Sequence, residues 1–225
     1  MRDYFCDVFR PSHILLSLIV LVFAGCFEIV EEIDHNDDGS GEFSYLVNMS
    51  QSREKLATLL SLDSIGGLRV PSRDKIEEQI EKGLTLVEAE SGISNARVTK
   101  DYENFIFNIS FHYDSITALN IAAEHIHAQM SPYGKPYHPI FDVHDNGFSR
   151  VADAHSTAFL QNLNRRNQAV IKDGSYTTVY RFNSTISSPD PDARISKSKK
   201  AIMYKYNTLA LARNPHILHQ HIILK

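Results

Sequence analysis

Apolar and polar residues alternate with a period of two on both sides of the stretch IDHNDDGSGEF, residues 33–43. Before it, Phe27, Ile29 and Ile33 take odd positions while Glu28, Glu32 and Asp34 take even ones. After it, Phe43, Tyr45, Val47 and Met49 are odd, and Glu42, Ser44 and Asn48 are even. Successive side chains of a strand point to opposite faces, so the pattern predicts two strands, each with one mainly apolar face. Pairing Ile33 with Phe43 aligns Ile29 with Val47 and Phe27 with Met49, which gathers the large apolar side chains on the same face. Val30 and Leu46 pair on the opposite face. Glu31, opposite Tyr45, is the one charge that spoils the apolar face.

The period then changes. Ser50 is placed to cap a helix carrying Leu56, Leu59 and Leu60. Pro71 and Ser72 precede a second helix, with Ile76, Ile80, Leu84 and Val87 on one face and Gly92 as its stop. Alternation returns at Phe105, Phe107, Ile109, Phe111 and Tyr113, the clearest strand of a further pair. Asp114 or Ser115 starts a third helix with Ile116, Leu119, Ala123 and Ile126 inward, ending before SPYGKPYHP. Beyond that stretch, IFDVHDNGFSRVA reads as a hairpin around Asn146 and Gly147, and Ala154 to Gln168 as a helix. Tyr176, Thr178, Tyr180, Phe182 and Ile186 mark one strand, Ala201 to Tyr206 another and Ile217 to Leu224 a last one. Strands and helices in blocks, with hairpins joining strands, predict an α+β fold: a largely antiparallel sheet with an N-terminal β-hairpin and about three to four helices packed on it. The expected organisation is a removable segment over 1–25, a hairpin-plus-helices part over 26–130, a Pro-rich connection at 131–139 and a β-rich part over 140–225 of the same domain.

The loop between the first two strands has a second reading. Asp34, Asn36, Asp38 and Gly39 stand at positions 1, 3, 5 and 6 of a calcium-binding EF-hand loop. That motif needs a helix on each side and a bidentate Glu at position 12, where this chain has Tyr45 pointing to the predicted core. Asp, Asn and Gly also close tight turns without metal. A hairpin turn is the expectation, with weak calcium binding by Asp34, Asn36 and Asp38 as the alternative.

The first 26 residues are of another kind. Ile14 to Phe23 is an apolar run interrupted only by Ser17 and followed by Ala24, Gly25 and Cys26. A membrane-spanning helix needs about 20 apolar residues, so the run reads as a secretory signal that is removed. Phe23, Ala24, Gly25 and Cys26 resemble the lipobox of bacterial lipoproteins, with Phe23 where that family usually has Leu. The resemblance implies that Cys26 is the lipidation site, bearing palmitate-class acyl chains as the new N-terminus. The other cysteine, Cys6, falls in the discarded segment, so an exported chain holds one thiol and no internal disulfide. The alternatives are a eukaryotic-type signal cut after Cys26, for which Asn48, Asn108 and Asn183 are glycosylation sequons, and an uncleaved anchor.

The segments CFEIVEEIDHNDDGSGEFSYLVNMS and SYTTVYRF, with the helices and strand pair between them, resemble the poorly characterised bacterial lipoproteins with an LppM-type domain. That likeness implies an envelope location, anchorage to a membrane such as the outer membrane, and binding of lipid or glycolipid or an envelope protein partner; it supplies no catalytic residues. A net charge of −4 argues against nucleic acid. Arg194, Lys197, Lys199 and Lys200 read as a solvated turn.

No cofactor is called for. Among the eleven histidines, His125 and His127 diverge on a helix, while His219 and His221 share a strand face without a further ligand in sight. His144 with Asp142 and His155 with Asp153 are the pairs a hydrolase would use. No nucleophile elbow, phosphate loop or HExxH accompanies them. The expectation is therefore a non-enzymatic envelope lipoprotein, with a hydrolase built on scattered Asp and His as the alternative.

Overall fold

Strand β1 (Glu28–His35) pairs antiparallel with β2 (Gly41–Asn48) in the register that the alternation requires: Ile33 opposite Phe43, Glu31 opposite Tyr45, Val30 opposite Leu46 and Ile29 opposite Val47. The ladder stops at Glu28 and Asn48. Phe27 and Met49 do not pair, because the Phe27 carbonyl accepts from Ser175 N–H and Met49 N–H donates to the Phe105 carbonyl. The computed structural model describes residues 27–62, 64–65, 68–69, 72–130, 139–144, 146–151, 172–188 and 192–225. Cys26 and the segment before it, the Pro-rich residues 131–138 and the helix expected over Ala154–Gln168 lie outside those residues.

After β2 a 3-10 turn, Ser50–Ser52, leads into α1 (Arg53–Leu60). Two short strands, β3 (Ser64–Ile65) and β4 (Leu68–Arg69), pair with each other. Helix α2 (Arg73–Glu88) starts where Ser72 accepts a hydrogen bond from Lys75 N–H, the N-cap that the sequence offers there. Strands β5 (Ile93–Asp101) and β6 (Ile106–Tyr113) form the next hairpin. Phe105 is not part of the strand: it sits at φ 55 in the connecting turn, still buried. Helix α3 (Ile116–Met130) follows, its Leu119, Ala122 and Ala123 in the core.

The second part supplies β7 (Phe141–His144), β8 (Gly147–Arg150), β9 (Ser175–Phe182), β10 (Ile186–Ser188), β11 (Arg194–Ile195), β12 (Ala201–Asn207), α4 (Thr208–Arg213) and β13 (Gln220–Leu224). A seven-stranded sheet runs β11-β12-β9-β1-β2-β6-β5, and a four-stranded sheet runs β10-β13-β8-β7. The large sheet takes strands from both halves of the chain, with β1 at its centre. Its one parallel pair is β1 with β9; the other neighbours are antiparallel, as the α+β reading requires.

Two further expectations need correction, and one helix is added. Ile186 does not continue β9: Asn183 and Ser184 hydrogen-bond to Asn36 and Asp37, and the chain turns over into the small sheet. The last strand begins at Gln220 rather than Ile217, because Pro215 opens a 3-10 turn through Leu218. Helix α4 was not foreseen, although Asn207 caps it by accepting from Leu209 and Ala210 N–H.

One face of the large sheet is covered by α2 and α3 at one side and by the small sheet at the other. Val87, Leu119, Ile33, Phe43, Phe111, Phe141, Phe148, Tyr180 and Ile222 join in one core. Asn120, buried on α3, ties β7 to it: its amide accepts from Ile140 and Phe141 N–H and donates to the Phe141 carbonyl.

Glu31, 3% exposed, and Arg150, 2% exposed, meet between the sheets. Arg150 Nε and Nη2 reach the two carboxylate oxygens at 2.9 and 3.0 Å, and the hydroxyls of Tyr180 and Tyr176 donate to the same oxygens at 2.8 and 2.7 Å. Burial pushes the Glu31 carboxyl up, but the charge of Arg150 and these hydrogen bonds outweigh it and hold the group below its ordinary 4.5. The odd charge on the apolar face is thus the anchor between the two sheets.

Removing one partner strands a buried charge, so Glu31→Gln should cost about 3–5 kcal/mol in urea unfolding, and Glu31→Leu with Arg150→Met should recover much of it. A single-variant loss below about 1 kcal/mol would be that of a solvent-screened pair. Because the folded carboxyl titrates below the unfolded one, its contribution is complete above pH 4.5 and is lost as pH falls through the depressed value. The acid limb of stability against pH should accordingly be shallower in Glu31→Gln.

Candidate functional site

The β1–β2 turn is closed by its own polar groups. Asn36 N–H donates to the Ser40 carbonyl, Gly39 N–H to the Asn36 carbonyl, and Gly39 adopts φ 89, a conformation that favours glycine. Asp38 Oδ1 accepts from Ser40 N–H at 3.0 Å and from its hydroxyl at 2.6 Å, which holds the Asp38 carboxyl below its usual range. The turn is also fixed to the segment after β9: Asn183 donates to Asn36 Oδ1 and Ser184 to Asp37 Oδ1. Arg181 Nη1 lies 2.8 Å from Asp34 Oδ1 and 2.9 Å from Glu32 Oε2. Asp34 on β1 thus stands next to Asn36 and Asp38 of the turn, but each of the three has a protein partner. At position 12, Tyr45 packs against the core and offers no carboxylate.

Beside this turn, where β2 begins, β5 begins and β6 ends, lies a cleft of about 500 Å³. Asp34, Asn36, Ser40 and Glu42 form one wall, Ser94, His112 and Asp114 the other, and Ile93 is its one aliphatic side chain. Glu42 is met by Arg97 at 3.2 Å and by His112 at 3.6 Å. Gly41 and Gly92 also line the cleft, and a side chain at either would collide with Tyr113 or Asp114. Tyr113 carries its hydroxyl to His35 Nδ1 at 3.1 Å, and the buried His35 ring packs against Phe148 and Phe182. Burial lowers the pKa of His35, opposed by the charges of Asp37 and Asp38. The cleft thus offers hydrogen-bonding groups and charges, which suits a polar or hydroxylated group better than an acyl chain.

The histidines group differently from the expected pairs. His219 precedes β13 and does not share its ladder; His125 faces Glu90 at 3.6 Å. Asp153, His155 and the His127 side chain lie outside the described residues. Asp142 and His144 do come together, at 3.7 Å, on the outer face of the small sheet. There they are joined by Ser149, which sequence reasoning missed, and by His221, whose expected partner was His219. The signal for Ser149 was present, since the Asn146–Gly147 turn puts Asp142 opposite Ser149. The alignment of His221 with Ser149 depends on a strand 72 residues away in sequence.

Ser149 Oγ is 3.2 Å from His144 Nε2 and 2.8 Å from His221 Nδ1. In a serine hydrolase the carboxylate orients one ring nitrogen while the other takes the serine proton. Here Asp142 and Ser149 both approach Nε2 of His144, so the relay is not assembled. No three or more His, Cys, Asp or Glu side chains among the described residues form a metal cage.

No family model matches the sequence, and no curated protein matches it. Among solved structures, the chain is similar to the folded domain of the Mycobacterium tuberculosis LppM protein, determined by NMR. The TM-score is 0.41 and the identity 9%, over 89% of each chain.

With its loop oxygens already engaged, the protein should show no saturable one-to-one calcium isotherm with a dissociation constant below about 10 µM. Calorimetric titration checks this, and a micromolar isotherm abolished by Asp38→Ala would overturn the assignment of the loop as a plain turn.

Proposed function

We propose that the protein is a non-enzymatic lipoprotein of the bacterial envelope, anchored through acylated Cys26 to a membrane, the outer membrane where the cell has one. The observation that carries this reading is the stretch Phe23, Ala24, Gly25 and Cys26, which resembles a lipobox and stands directly before the fold. Phe27, the next residue, is bonded through its carbonyl to Ser175, and its ring lies against Gly174. No described helix is long and apolar enough to cross a membrane, so in this reading the lipid does the anchoring.

The eight residues of β1 then carry the chain away from the anchor, about 25 Å at roughly 3.3 Å per residue. The acidic turn and its cleft stand at that far end, clear of an anionic membrane surface. The polar lining favours a sugar, a lipid headgroup or a polar segment of an envelope protein as the ligand, in place of the acyl chains that an apolar cavity would take. The separation of Ser149 and Asp142 from a working relay supports a binding role over hydrolysis.

Metabolic labelling with a clickable fatty acid should modify the wild-type protein and not Cys26→Ser, which should accumulate as an unprocessed precursor. Two or more acyl chains make a stable anchor, so the labelled protein should resist release by high salt. Labelling that survives Cys26→Ser, or mature wild-type protein found free in the periplasm, would sink this reading.

A further inference from the structure

We infer that the outer face of the small sheet binds a divalent transition-metal ion between His144 and His221. Asp142, Ser149 and His221 stand in one row across three adjacent strands, β7, β8 and β13, and His144 follows Asp142 on the same face of β7. The two imidazoles lean together over the central serine until their ring centroids are 5.7 Å apart. With a metal–nitrogen bond of about 2.1 Å, two imidazoles on one ion have centroids roughly 5–6.5 Å apart. The rings already stand at a chelating separation.

Their nitrogens also converge. His144 Nε2 and His221 Nδ1 both face Ser149 Oγ, at 3.2 and 2.8 Å. The hydroxyl has a single proton, so it can donate to only one of them, and the other ring must present an N–H to the oxygen. A dication coordinated to both nitrogens replaces those shared protons and leaves the serine oxygen as a neighbouring donor. Asp142 Oδ2, 3.7 Å from His144 Nε2, supplies negative charge beside the ion. His144 and Asp142 are exposed, as is His221, so the ion can enter from solvent and water can complete its shell. Ser149, only 5% exposed, closes the site from below.

This is an open half-site and not the closed set of four ligands that makes a structural zinc centre. Imidazole suits Zn²⁺, Ni²⁺ and Cu²⁺, and the order of divalent affinities puts Cu²⁺ highest. The inference is independent of Cys26 and of the hairpin cleft, which lies on other strands.

Copper titration of the full chain, followed by calorimetry and by electron paramagnetic resonance, tests it. The expected result is one saturable site whose spectrum carries nitrogen couplings from two imidazoles. His144→Gln or His221→Gln should each weaken it at least tenfold, and His219→Gln should leave it unchanged. On the wild-type protein, saturating Zn²⁺ should protect His144 and His221 from diethyl pyrocarbonate and leave the other histidines as reactive as before; this readout needs no variant to fold. Copper affinity that survives the double substitution, protection spread over other histidines, or no saturable binding below about 100 µM would each overturn the assignment.

Discussion

Glu31 and Arg150 occupy a position where a protein can tolerate a charge only if its neighbours complete it. Moving an ion into such surroundings costs several kcal/mol after relaxation. Here both carboxylate oxygens are satisfied, by the guanidinium from one sheet and by two tyrosine hydroxyls from the other. Burial, and then the charge of Glu31, push the hydroxyls of Tyr176 and Tyr180 well above their ordinary range, so they remain donors at any physiological pH. Gln220, beside Arg150 on the next strand, reaches Thr178 and Tyr206 at 3.0 Å each. A layer of polar side chains thereby meets across an otherwise apolar interface, with Arg150 Nη1 its one buried nitrogen that has no hydrogen bond among the described residues. Hydrophobic contact alone would accept several offsets between two sheets, whereas a bidentate pair with two further donors accepts one.

That fixed offset has effects at both ends of β1. At its C-terminal end the ring of His35 is held between Tyr113 of the large sheet and Phe148 of the small one, so the tyrosine that lines the cleft is backed by a ring that both sheets hold. At the N-terminal end Phe27 is clamped against Gly174. On the far side of the small sheet, the strands that deliver Arg150 and Gln220 inward turn Ser149 and His221 outward, since side chains alternate along a strand. The face that seals the core and the face that holds the histidine pair are two sides of one register.

Much of this was legible wherever the signal was local. Period-two alternation gave the first hairpin and its register from Glu28 to Asn48, and Ser72 and Ser115 marked helix starts that the structure has. What failed was long-range or depended on a break of geometry without a break of pattern. Phe182 and Ile186 have the same parity, so nothing in the spacing announces that the chain changes sheets between them. Glu31 read as a blemish because its partner lies 119 residues downstream. His221 was set beside its sequence neighbour His219, although its spatial neighbour is His144. The tight turn was readable from Asp, Asn and Gly, but its ties to Asn183 and Ser184 were not.

The central place of β1 has a kinetic consequence. Its two flanking strands lie at very different distances along the chain: β2 follows after a turn, while β9 arrives with the Glu31–Tyr180 contact spanning 149 residues. Contacts of such span have to meet the entropy of closing a long loop before they return any stability, so folding of this topology is slow. A chain made from its N-terminus presents the hairpin first, with only half of its sheet and no partner for its buried carboxylate. Neither can be supplied until β8 and β9 have been made, so the first strand laid down is among the last to lock.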